Sequence, residues 1–145
     1  MIVYLDASAI VKRYLAEADS PAVDRLVAQA LVMGTSLISR AEVAAAIARA
    51  ARMNALPSAE AEKALKTFRA QWADLIATPV TQILVARADS LAWDYGLRGY
   101  DAVHLASAML WQEALSESVT LATFDKQLWD AARQAGMDVW PETLE

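Results

Sequence analysis

Residues 1–14 read MIVYLDASAIVKRY, and the fold turns on how that stretch divides. Ile2 to Leu5 is a run of four apolar residues, short enough for a buried strand. It runs straight into Asp6, after which Ile10, Val11, Tyr14 and Leu15 recur at helical spacing. A buried strand that stops at a carboxylate and continues as a helix is the opening of a parallel α/β fold. Asp6 then carries a desolvation penalty unless something pairs with it.

The rest of the chain repeats the alternation. Ser20-Pro21 signals a second helix, read as cap followed by proline, running to about Met33. Gly34 breaks it, and Thr35 to Ile38 is predicted as the second strand. Ser39 to about Met53 and a segment restarting at Leu56-Pro57-Ser58, with a stripe at Ala61, Leu65, Phe68 and Trp72, form a helical hairpin. Leu75 to Ala77 is a weak third strand. Ile83, Leu84, Ala88, Leu91, Ala92 and Tyr95 mark a helix closed by Gly96. After a loop, Leu97 to Tyr100, comes a nearly all-apolar helix, Ala102 to Leu115, which that composition buries on most sides. Val119 to Ala122 is a fourth strand, Lys126 to Ala135 a last helix, and Met137 to Trp140 a fifth strand. Five strands separated by helices imply a mostly parallel sheet with helices on both faces.

Composition narrows the chemistry. The 145 residues fit one domain, 1–145, and much of the 57% hydrophobic content is alanine, which suits closely packed helices. The five tryptophans are read as core residues in preference to a partner surface. No apolar run reaches the roughly 18 residues of a membrane span, so the chain reads as soluble and cytoplasmic. With no cysteine and one histidine, disulfides, thiolate chemistry and multi-histidine zinc sites are excluded. Any metal must be held mainly by oxygen. The net charge of −5 argues against simple phosphate binding, but the acids singled out next make up most of it.

In an open parallel sheet, sites form beyond the carboxyl ends of the strands. Four acids fall there: Asp6 after the first strand, Glu42 at the start of the helix after the second, Asp101 at the start of the buried helix, and Asp125 after the fourth. Each also has a structural reading. Ser39-Arg40-Ala41-Glu42 fits a capping box, and Asp6, Asp101 and Asp125 suit helix caps. Brought together, however, like charges about 4 Å apart at an effective dielectric near 20 repel by about 4 kcal/mol per pair. Such a cluster has to bind protons or cations, and Mg²⁺ or Mn²⁺ prefers oxygen ligands.

Leu5-Asp6-Ala7-Ser8, Ser39-Arg40-Ala41-Glu42, Tyr100-Asp101-Ala102-Val103-His104-Leu105-Ala106-Ser107-Ala108 and Leu121-Ala122-Thr123-Phe124-Asp125 occur in that order, with 36, 59 and 24 residues between the acids. In these motifs the sequence resembles the PIN-domain family, and within it the VapC-like toxins of bacterial toxin–antitoxin pairs. The resemblance spans the whole chain and implies a three-layer α/β/α sandwich around a central five-stranded sheet. It implies a Mg²⁺- or Mn²⁺-dependent endoribonuclease acting on RNA, usually a homodimer, held inactive by a small VapB-like antitoxin. The family's metal ligands carry over onto Asp6, Glu42, Asp101 and Asp125, and its supporting hydroxyls onto Ser8 and Thr123. Ala7 departs from the family, where threonine is common.

In that mechanism Asp6 and Asp101 are the principal ligands. Glu42 acts through water or positions the nucleophile, and Asp125 completes a second ion's shell or acts from outside it. His104, one turn after Asp101, is read as a packed histidine, with a donor role behind the ligands as the alternative. Lys12, Arg13, Arg40, Arg98 and Lys126 are candidate RNA contacts. The hairpin from Ala41 to Trp72 is the candidate dimer or antitoxin surface. The competing reading is a catalytically silent PIN-like module that uses the fold for protein contacts; its sign would be a missing acid, and all four are present.

Overall fold

The computed structural model describes residues 1–145. Five strands, β1 (Ile2–Leu5), β2 (Val32–Ser36), β3 (Ile76–Thr78), β4 (Val119–Ala122) and β5 (Asp138–Trp140), form one sheet in the order β3-β2-β1-β4-β5. All four pairings are parallel, so the sheet is parallel throughout. Seven helices connect them: α1 (Ala7–Val11), α2 (Ser20–Gln29), α3 (Ser39–Arg52), α4 (Ser58–Gln71), α5 (Gln82–Tyr95), α6 (Gly99–Leu115) and α7 (Lys126–Gln134). A single 3₁₀ turn, Trp72–Asp74, leads into β3. No helix is long and apolar enough to cross a membrane.

The layering follows from β1, whose successive side chains point to opposite faces. Val3 and Leu5 enter one core, with Ile10 of α1, Leu26 of α2, Val43 and Ile47 of α3 and Phe68 of α4. Tyr4 enters the other, with Leu84 and Leu91 of α5, Leu105 and Trp111 of α6 and Leu128 of α7. Two apolar clusters on either side of one buried strand make the three-layer sandwich. They also explain why Ile2 to Leu5 shows no polar alternation.

Several boundaries differ from the sequence reading. The first helix, α1, stops at Val11, so Tyr14 and Leu15 follow it in a turn that packs against the same core. β2 begins at Val32, three residues earlier than expected, and Gly34 lies inside it instead of ending the helix before it. The reason is tertiary: a Cβ at Gly34 would stand 2.6 Å from the indole of Trp111, so this strand position accepts no side chain. Gly34→Ala is expected to destabilise the fold by about 1–3 kcal/mol through overpacking, read as a lower urea midpoint at unchanged slope. Similarly, α6 starts at Gly99, so the expected loop is partly helical and Asp101 sits in the helix's first turn. Lastly, α2 is flanked by Asp19, and Ser20, its first residue, accepts a hydrogen bond from the Glu17 amide outside the helix.

The tryptophans are divided. Trp111 and Trp129 are buried and Trp72 and Trp140 half-buried, while Trp93 on α5 is 89% exposed. The Ala41 to Trp72 hairpin forms as α3 and α4, with its stripe residues Ala61 and Phe68 buried against the sheet.

Candidate active site

The strand order decides where chemistry can occur. From β1 the chain moves first to β2 and β3 on one side and later to β4 and β5 on the other, so β1 is the point at which strand order reverses. Crevices open at the carboxyl ends of strands at such a point, and Asp6 is the residue immediately after β1. A pocket of about 300 Å³ lies there, lined by Asp6, Ser8, Glu42, Asp101, His104 and Asp125, with Ala7, Arg98 and Tyr100 at its rim. The four acids expected from sequence therefore share one pocket, although they come from four different elements.

Asp6 is 4% exposed and accepts hydrogen bonds through both oxygens. Its Oδ1 accepts from the Ala9 amide at 3.0 Å and from Ser8 Oγ at 2.6 Å, and its Oδ2 accepts from Thr123 Oγ1 at 2.6 Å. Asp6 thus caps α1 and faces the pocket at once, so the two readings of it are compatible. Thr123 Oγ1 in turn accepts from the Asp125 amide at 3.0 Å, and Ser8 Oγ accepts from the Phe124 amide at 2.8 Å, which ties the β4 end to the β1 end. Ser8 and Thr123, the two hydroxyls singled out from sequence, both donate to Asp6. Burial pushes the Asp6 carboxyl up, against the opposing pull of His104, Ser8, Thr123 and the Ala9 amide.

Asp125 also plays both parts: Oδ1 caps α7 by accepting from Leu128 N at 3.1 Å, while Oδ2 accepts from Arg98 Nη2. Asp101 caps nothing. Its Oδ2 accepts from Arg98 Nε at 3.0 Å, and burial, followed by the charge of Asp125, raises its carboxyl despite Arg98. Glu42 is not a capping-box residue. No side chain caps α3, Ser39 Oγ bonds Thr35 Oγ1 at 2.6 Å, and the Glu42 carboxylate reaches across to His104 Nε2 at 2.7 Å.

As they stand, no three acidic or histidine side chains form a chelating group. The like-charge conflict expected from sequence is met instead by protein cations and donors, with Arg98 between Asp101 and Asp125 and His104 against Glu42. Of the five candidate RNA contacts, only Arg98 lines this pocket. Lys12 pairs with Glu17 and Asp19 and lies 4.4 Å from the Phe124 ring, and Lys126 pairs with Asp130. Arg13 and Arg40 lie over Tyr14 and Trp72. Sequence reading missed the Arg98 bridge and the Tyr4 contact to His104, since both depend on partners far along the chain.

The PIN domain model matches residues 3–134. The chain belongs to the PIN-domain family. Ribonuclease VapC45 of Mycobacterium tuberculosis (strain CDC 1551 / Oshkosh) is 34% identical over 144 residues, 99% of this chain and 98% of that protein. Ribonuclease VapC46 of Mycobacterium tuberculosis (strain ATCC 25618 / H37Rv) is 34% identical over 137 residues, covering 94% and 95%. Among solved structures, FitAcB from Neisseria gonorrhoeae superposes with a TM-score of 0.64 at 21% identity, over 96% of both chains. VapBC2 from Rickettsia felis, bound to a promoter DNA fragment, gives 0.63 at 14% identity over 96% and 97%. These two likenesses carry the PIN fold, and the sheet order and layers described above agree with it.

Proposed function

We propose that this PIN-domain protein is a metal-dependent endoribonuclease, the toxin of a VapBC-type pair, acting in the cytoplasm. The observation that carries the reading is the convergence of Asp6, Glu42, Asp101 and Asp125 on one pocket in a chain alignable from end to end with proteins named ribonuclease VapC. A small VapB-like antitoxin covering that pocket and a homodimeric toxin complete the proposal.

The donor set suits a hard divalent ion. Its four acids offer carboxylate oxygens, two of the carboxyls are raised by burial, and the protein already places a guanidinium between two of them. Asp6, Asp101 and Asp125, with Glu42 directly or through water, would hold Mg²⁺ or Mn²⁺, which supplies charge that offsets the phosphate and lowers the proton affinity of water. Ser8, Thr123 and the Ala9 amide hold the Asp6 carboxylate in one orientation. Glu42, its side chain 30% exposed, presents an acceptor that orients a water for in-line attack. Arg98, its side chain 70% exposed, pairs Asp101 and Asp125 here; with a cation held by those two acids its guanidinium would be available to pair with a phosphate. Asp125 is held through Oδ1 as the α7 cap, which leaves Oδ2 facing Arg98 and the pocket.

The test is RNA cleavage by the purified protein with Mn²⁺ or Mg²⁺, with excess EDTA, and after the metal is restored. Internal cuts are expected with metal, none with EDTA, and recovery on restoring the metal. Cleavage undiminished by EDTA would overturn the metal reading, and metal binding without cleavage would leave the silent interaction module in its place.

A further inference from the structure

His104 lies on α6, three residues after Asp101, and is 2% exposed. A histidine packed for volume alone is satisfied by whatever backbone groups lie nearby. Here both ring nitrogens meet side chains from other elements. Nδ1 is 2.9 Å from the hydroxyl of Tyr4, which is fully buried on β1, and Nε2 is 2.7 Å from Oε1 of Glu42 on α3. The Tyr4 and His104 rings stand edge to face at 6.0 Å and 73°, which limits rotation of the imidazole.

A carboxylate only accepts hydrogen bonds, so Nε2 carries the proton in this contact whether the ring is neutral or charged. Tyr4 then donates to Nδ1 of the neutral ring or accepts from that of the charged ring, and the geometry is the same. Glu42 has no other side-chain partner, and without this one its long, partly exposed side chain is free to turn to solvent.

We infer that His104, braced by Tyr4, is a positioning residue that aims the Glu42 carboxylate into the pocket by donating from Nε2. It joins the helix that carries Asp101 to the helix that carries Glu42, so two acids far apart in sequence keep a fixed relation. The inference rests on the metal-site reading above. Partners that orient a ligating side chain in this way change metal affinity by roughly 10–100-fold when removed.

The chain has a single histidine, so its ring resonances need no assignment. The wild-type protein is expected to show a slowly exchanging Nε2 proton by ¹H–¹⁵N NMR, lost in Glu42→Ala. His104→Leu is expected to lower Mn²⁺ affinity by calorimetry roughly 10–100-fold, and His104→Gln, whose amide N–H reaches the same carboxylate, to recover most of it. Tyr4→Phe keeps the packed ring and speeds exchange of the Nε2 proton; it serves if the leucine variant fails to fold. Equal Mn²⁺ affinity in wild type and His104→Leu, or a fast-exchanging Nε2 proton in the wild type, would overturn the inference. A wild-type protein that binds no Mn²⁺ overturns the metal reading instead, and the Nε2 proton still reports the contact.

Discussion

Asp6→Asn is expected to lower metal-dependent RNA cleavage by about 10²–10³-fold while the protein stays folded. The loss of a ligating charge removes several kcal/mol of stabilisation at the reacting phosphate, and each 1.36 kcal/mol is about a tenfold change in rate. The fold survives because asparagine matches the shape of aspartate and the hydrogen bonds can be kept. Its Oδ1 still accepts from the Ala9 amide and Ser8, and its amide can donate to Thr123 Oγ1, whose own hydrogen turns away. Stability at neutral pH should be unchanged or higher. The Asp6 carboxyl is raised in the folded state, so its contribution to stability is present below the unfolded aspartate value, about 3.9, and is lost as pH rises through the folded one. At pH 7 without metal the burial of this carboxyl therefore opposes folding, and asparagine removes that opposition. Cleavage assays beside thermal melts followed by circular dichroism check both halves. Wild-type cleavage in the variant would remove Asp6 from the mechanism.

Trp111→Ala is expected to cost about 3–5 kcal/mol, a large part of the roughly 5–15 kcal/mol that holds a domain of this kind together. The indole of Trp111 lies across the bare backbone of Gly34 in β2 and sits in the core shared by Tyr4, Val119 and Leu121. Gly34 has no side chain to move into the space, so the cavity cannot close from the sheet side. The same geometry predicts coupling: Gly34→Ala, destabilising in the native background, becomes close to neutral once Trp111 is alanine. Urea unfolding of the two single variants and the double variant measures this. Equal Gly34→Ala losses in both backgrounds would show that the indole does not limit position 34.

Much of the architecture was legible in short-range pattern. The apolar run Ile2 to Leu5, the helical stripes and the proline and glycine punctuation placed nearly every element, because burial of a strand or helix face imprints its own period on the sequence. The β2 boundary was not legible, since glycine normally ends a helix and only the facing Trp111 explains one inside a strand. Ser39-x-x-Glu42 misled for a related reason. The capping motif describes a local option, and His104, 62 residues away, is the partner Glu42 takes.

What the sequence determined by itself was the set of acids and their places at element junctions. Which of them meet was decided by the tertiary structure alone, through a strand order that sets β1 between β2 and β4 and so gathers four separate junctions at one crevice. The same holds for Arg98, which joins Asp101 three residues away to Asp125 27 residues away, and for Tyr4, whose partner His104 lies 100 residues on. The physical reason is that periodicity records which face of an element is buried, whereas the neighbour that buries it is chosen by packing across the whole chain.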